Sequence, residues 1–319
     1  MAMNFWEAQA RARRYTALYL FVFILLTVAI AVVAEVAMRT FAGETYDTPY
    51  PLLGAAFLGI TFLIAGFNYV RYQSFGGSCA AEAVGARLVS PDTTNPKERQ
   101  LLNIVEELAL ASTLPVPPVY IIPAAEINAF AAGLNGKNAI VAITDGALQK
   151  LNRDEVQGVI AHEFGHITNG DMCISMRLAA MLMGFYFALY IGLRMLQLGG
   201  RSRDGKKGDP MAIAAFILIV AGSLSWLAGS ILKAMVSRQR EYLADACSVQ
   251  FTRNPSGIAN ALRKIGQESI RDMPAGGANF SHMYLNDTSF FSTLFATHPP
   301  LEKRIAAIEG EKPLKLRSY

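Results

Sequence analysis

Four long apolar runs decide most of what this chain can fold into. Residues 17–38 carry one charge, Glu35, near the far end, and residues 52–70 carry none. Residues 211–232 form a third run of comparable length. A helix needs about 20 apolar residues to cross about 30 Å of hydrocarbon, and all three meet that need. The remaining run, 178–193, has only 16 residues between Arg177 and Arg194, or about 24 Å of helix. It spans if both arginines reach back to the interfaces. Otherwise it pairs with the run at 211–232 in a re-entrant or buried hairpin.

Arg11, Arg13 and Arg14 precede the first run as in a signal peptide. A cleavable apolar core is about 7–15 residues long, so this one reads as a retained anchor. The flanking basic residues set the orientation. Those three arginines, with Arg71 and Arg87 after the second run and Lys233, Arg238 and Arg240 after the fourth, face the cytoplasm. The first loop holds Glu44 and Asp47 and falls outside. Four crossings also put Arg201, Arg203, Lys206 and Lys207 outside, against the rule; a re-entrant hairpin would remove that conflict.

Charged residues make up 17% of the 319 residues and hydrophobic ones 52%, where a soluble domain has about 25% charged. A dispersed net charge of +4 gives no phosphate-binding surface, so nucleic acid is excluded as a partner. The three cysteines, Cys79, Cys173 and Cys247, are far apart and lack CxxC spacing. They fit a reducing compartment and neither a disulfide framework nor a thiolate metal site.

Residues 90–172 and 233–319 read as globular. Asn95, Pro96 and Glu98 predict a helix start with a capping box, and Leu101, Val105 and Leu108 continue it as an apolar stripe. Residues 119–122 and 140–143 read as strands on either side of 128–133, with a hairpin signal at Asn135-Gly136, giving a small, partly antiparallel sheet. A second capped helix starts at Asn152, with Glu155 three residues on, and stops at Asn169-Gly170. Asn254-Pro255 and Pro299-Pro300 open two further helices, and residues 272–296, rich in Gly, Ser and Asn, read as a mobile loop.

The chemistry sits on the helix from Asn152. His162 and His166 are one turn apart on one face, so both rings can reach one Zn²⁺ at about 2.0–2.1 Å. Glu163, about 100° round the helix, is placed to work on water as a general base. A catalytic zinc takes three protein ligands. Glu241 is the candidate third ligand, and Asp245, four residues on, can hold the free nitrogen of a ligand histidine. Two solvent-facing histidines, an unrelated surface Glu/Asp pair and a helix-capping His298 are the plainer readings of the same residues.

His-Glu-Phe-Gly-His at 162–166 with Ile-Thr-Asn-Gly-Asp after it, Arg-Glu-Tyr-Leu-Ala-Asp-Ala at 240–246 and Thr-His-Pro-Pro-Leu-Glu-Lys-Arg-Ile at 297–305 occur in this order. Together they resemble the HtpX family of membrane zinc metallopeptidases, relatives of the CAAX prenyl endoproteases. The resemblance covers about residues 90–309. It implies one zinc per chain on His162, His166 and Glu241, Glu163 as general base and Asp245 behind the ligands. It also implies roles near the scissile carbonyl for His298 and Arg304. Asn128, Ala129, Phe130 and Ala131 match the family's strand beside the active site, which would hold an extended substrate on an exposed edge.

The expected architecture is a mainly α integral membrane protein with an α+β, zincin-like catalytic domain, interrupted by a helical hairpin. Its divisions are a two-helix anchor at 1–72, catalytic parts at 73–172 and 237–319, and the hairpin at 173–236. The expected partners are the lipid bilayer and polypeptide substrates, membrane or misfolded proteins in quality control. The expected location is a bacterial inner membrane with the site facing the cytoplasm. Prenyl-protein processing is one rival, and a zinc-binding membrane chaperone or scaffold without catalysis is another.

Overall fold

The computed structural model describes residues 5–199, 209–267 and 299–310. His298, the glycine-rich stretch 272–296 and the basic residues of 201–207 lie outside them. The described residues belong to two compact units, each assembled from separate stretches of chain.

One unit comprises Arg14–Val70 and Arg177–Lys233. It holds most of α1 (Phe5–Ala42) and α2 (Leu52–Phe75), and the apolar stretches of α7 (Asp171–Gly199) and α8 (Pro210–Thr252). All four helices are long and apolar enough to cross a membrane. Their outer faces carry large apolar side chains, Phe21, Leu63, Phe67 and Phe216 among them, each more than 60% exposed. Such faces suit lipid. Inside, Phe185 stacks on Phe23 and Phe57, and Gly184 lies against the Thr61 carbonyl where a side chain would not fit. Small residues at such crossings are what membrane helices use to approach closely.

Glu35, the lone charge of the first run, is buried and serves a local need. Its carboxylate accepts from the backbone N–H of Leu53 and Gly54, at 3.0 and 3.1 Å, and from Arg39 Nε at 2.9 Å. The unpaired amides that open α2 are thereby satisfied by a charge on α1.

The run at 178–193 turns out to be long enough. Helix α7 has 29 residues and continues through both bounding arginines, about 43 Å at ~1.5 Å per residue. The arginines do not end it because each finds an aromatic partner. Arg177 lies over the Tyr69 ring, and Arg194 lies over Tyr190 and donates to its hydroxyl.

The other unit comprises the stretch up to Arg13, Arg71–Met176 and the chain from Ala234 onward. A four-stranded mixed sheet runs β1 (Arg87–Leu88), β2 (Val119–Ile122), β4 (Ile140–Thr144), β3 (Ala129–Ala132). β2 and β4 are parallel, and the other two pairs are antiparallel. Its helices are α3 (Ser78–Ala83), α4 (Pro96–Ser112), α5 (Asp145–Lys150), α6 (Arg153–Asn169), α9 (Pro255–Gln267) and α10 (Leu301–Glu309), with the first residues of α7 and the last part of α8. Leu101, Val105 and Leu108 of α4 pack with Val156, Val159 and Ile160 of α6 in one apolar core that also takes in the sheet and α9.

Capping fixes where α6 begins. Asn152 accepts from the Glu155 amide while Glu155 reaches back to the Asn152 amide, a complete capping box. The box expected at Asn95 is only half made. Asn95 accepts from the Lys97 amide, but Glu98 turns to Arg87 and Thr93 instead. A nearby guanidinium outcompetes the backbone amide for the carboxylate. The β3–β4 connection is longer than a two-residue hairpin. Asn138 accepts from the amides of Leu134 and Asn135, and Asn135 accepts from those of Lys137 and Asn138.

Candidate metal centre

Four helices converge on one cluster. α6 supplies His162 and His166, whose rings stand perpendicular with centroids 4.7 Å apart. α8 supplies Glu241 and Asp245, one turn apart. α7 contributes Asp171 from its first residue, and α10 contributes Arg304.

α6 and α8 approach closely because Gly165 lies where a Cβ would stand 3.0 Å from Ala244 Cα. The two His Nε2 atoms are 3.1 Å apart, and each lies 3.6 Å from a Glu241 carboxylate oxygen. A tetrahedral ion bound at about 2.0–2.1 Å needs donors about 3.3 Å apart. The separations are near that size, with each histidine facing a different Glu241 oxygen, and two imidazoles with one carboxylate suit a catalytic cation. The electrostatics agree. Burial disfavours a positive His166, yet its hydrogen bond to Asp171 and the carboxylates of Glu241, Asp171 and Glu163 outweigh burial and lift its pKa to about 9. A pocket that holds a proton so firmly offers a divalent cation the same field.

Behind the donors, Asp245 Oδ1 lies 2.9 Å from His162 Nδ1. Burial pushes the Asp245 pKa upward, but Arg304 and the His162 hydrogen bond prevail and hold it at about 2. Arg304 is fully buried. Its Nε and Nη2 donate to the two Asp245 oxygens at 2.8 and 2.7 Å, and its Nη1 stands 3.1 Å from Glu241 Oε2. Arg304 thus clamps two carboxylates, Asp245 and Glu241, beside the histidine pair. Burial turned the guanidinium toward the nearest negative charges.

Glu163 is buried beside the two histidines. β3 is an edge strand in sheet order, paired through one edge with β4. Along it Asn128, Ala129, Phe130 and Ala131 are all buried. α6 packs against β3, and Gly77 sits close against the Ala132 carbonyl. Asn128 turns its side-chain oxygen back on the neighbouring amide of Ala129.

Two contributors were not read from the sequence. Asp171 Oδ2 lies 3.0 Å from His166 Nδ1, and Arg240 Nη1 is paired with Asp171 Oδ1. A signal was present for both. Asp171 directly follows the Asn169-Gly170 stop and Arg240 directly precedes Glu241.

Comparison with known proteins follows the same lines. Residues 95–312 match peptidase family M48. The "Protease HtpX homolog" of Thermoanaerobacter pseudethanolicus is 39% identical over 264 residues, which cover 81% of this chain and 85% of that protein. The "Protease HtpX homolog" of Streptococcus pyogenes is 40% identical over 269 residues, covering 82% and 89%. A crystal structure of S. mikatae Ste24p is similar at 18% identity with a TM-score of 0.47, over 88% of this chain and 66% of that one.

Proposed function

Because the chain belongs to peptidase family M48 and is a membrane-bound metalloprotease, we propose that its metal is one zinc ion held by His162, His166 and Glu241. The donor cluster carries this reading: two imidazole nitrogens 3.1 Å apart, each 3.6 Å from one oxygen of the Glu241 carboxylate, a donor set that suits a catalytic zinc. Zinc there supplies Lewis acidity toward the scissile carbonyl and acidifies water to a pKa of about 7. Glu163 takes the proton of the attacking water on its carboxylate and returns it to the departing amine. Asp245 holds His162 through Nδ1, and Arg304 keeps Asp245 charged and in place.

The substrates are polypeptides, and we assign membrane and misfolded proteins to this site, as the HtpX resemblance implies. Binding along Asn128, Ala129, Phe130 and Ala131 needs the buried β3 edge to be uncovered first. The chain divides by role into an anchor at 1–72, catalytic parts at 73–172 and 237–319, and a hairpin at 173–236. The basic residues flanking the first, second and fourth runs support a cytoplasmic site on a bacterial inner membrane.

Purified full-length protein in detergent, assayed for bound zinc and for casein cleavage with and without chelator, tests the reading. One zinc per chain and cleavage that chelator abolishes and zinc restores are expected. Cleavage indifferent to chelator would refute it, and zinc without cleavage would favour a structural site. A farnesylated peptide cut in preference to its unmodified form would favour prenyl-protein processing.

A further inference from the structure

A helix stop brings Asp171 to His166. α6 ends at Asn169, and Gly170, at φ 71°, turns the chain through the left-handed region. Its N–H returns to the carbonyls of His166 and Ile167, as such a C-terminal glycine does. The next residue, Asp171, opens α7 and is delivered beside the last turn of α6, with Oδ2 3.0 Å from His166 Nδ1.

A carboxylate only accepts, so Nδ1 carries a hydrogen, and in the neutral ring that a cation would bind Nε2 presents the lone pair. Nε2 is the atom that faces His162 and Glu241. The other Asp171 oxygen is paired with Arg240, and both residues are only 5% exposed. Arg240 precedes Glu241 on α8. One turn of α8 therefore supplies a metal donor and the anchor for the carboxylate that supports a second donor.

The geometry points to Asp171, held by Arg240, as a positioning residue for His166: it fixes the tautomer and ring direction that the cation requires. The inference rests on the metal-site reading above. It makes the centre two-sided, with Asp245 and Arg304 behind His162 and Asp171 and Arg240 behind His166. The bland alternative is that the buried Asp171–Arg240 pair only ties α7 to α8.

Zinc affinity separates the two, measured by competition with a chromophoric chelator on the full-length protein, beside the melting temperature of each metal-free variant. Asp171→Ala removes the acceptor and should weaken zinc binding about 10- to 100-fold. Asp171→Asn keeps an oxygen for Nδ1–H while losing the charge opposite Arg240. It should lose stability much as Ala does, yet keep most of the zinc affinity. A tie between helices predicts that affinity follows stability in both variants. Equal affinity in Asp171→Ala and the parent, or no rescue by Asn, overturns the inference. Should Asp171→Ala fail to fold, Asp171→Ala with Arg240→Met removes the stranded charge, and the same affinity loss is expected; affinity restored to the parent value overturns the inference. Failure of the metal-site reading looks different, because the parent protein itself would then hold no zinc against the chelator.

Discussion

Glu163 directly follows His162 and so points about 100° away from the ligand face of α6. It is 3% exposed, and a buried carboxylate beside the two histidines of the proposed metal site but off their face is placed for proton transfer. Glu163→Gln should keep one zinc per chain and reduce casein cleavage by about 10²–10⁴-fold, the usual worth of a general base. Metal analysis and a turnover assay on the same preparation check this, and a metal-loaded variant that still cleaves at the parent rate removes Glu163 from the mechanism. At this scale the ligand histidines were legible because i, i+4 spacing on a helix dictates their shared face. Glu241 was legible only through its pairing with that motif. Asp171 and Arg240 were not, although both stand in plain view beside residues that were read. Which carboxylate meets which imidazole depends on how α7 and α8 cross α6, and spacing within one helix does not contain that information. Arg304 was named, but its pairing with Asp245 and Glu241 was not read, since a sequence does not show which arginine will be enclosed.

The elements meet at glycines. A Cβ on Gly158 of α6 would lie 2.5 Å from the Ile258 amide nitrogen, and Gly257 of α9 is equally tight against the Asp154 carbonyl. Gly158→Ala should therefore destabilise the protein by about 1–3 kcal/mol through overpacking, outweighing the ~1 kcal/mol that alanine gains in a helix. A lowered thermal or denaturant midpoint is the readout, and an unchanged or raised midpoint would show that α9 can give way. At the start of α4, Glu98 accepts from Thr93 and Arg87, and these bonds, Thr93's foremost, hold its pKa below the usual carboxylate range. A depressed carboxylate stabilises the fold above its unfolded pKa of about 4.3, and that contribution disappears as pH falls through the folded value. Glu98→Gln should then cost about 1 kcal/mol near pH 7, because solvent screens half-exposed Arg87. The difference from the parent should vanish in acid, and a pH-independent difference would mean that the charge is irrelevant. Capping explains what was readable here. Asn152 and Glu155 made their reciprocal bonds as local chemistry expects, although Lys264 also pairs with Glu155, whereas Glu98 turned to Thr93 and to Arg87, 11 positions away. The two-residue strand β1 carries no periodicity at all and exists through its pairing with β2.

The chain passes more than once between its two compact units, and apolar runs reveal those passages where local periodicity does not. Bounding the run at 178–193 by its arginines understated it, because a helix is not ended by charges that find aromatic partners. Four helices are long enough to cross, and if all four do, residues 76–170 and 240–267 are predicted on one side. Residues 43–51 and Asp209 then fall on the other. A re-entrant α7–α8 hairpin would bring Asp209 back to the catalytic side. Single cysteines at Asp47, Asp92 and Asp209, in a chain whose Cys79, Cys173 and Cys247 are replaced by Ala, distinguish the two arrangements in intact cells. A membrane-impermeant maleimide added outside should label positions 47 and 209 at once and position 92 only after permeabilisation. Labelling at 47 alone would establish the re-entrant hairpin and return the basic residues 201–207 to the cytoplasm, where the charge rule prefers them. Labelling at 92 in intact cells would turn the protein over, and the substrates to seek would then be those outside the cell membrane.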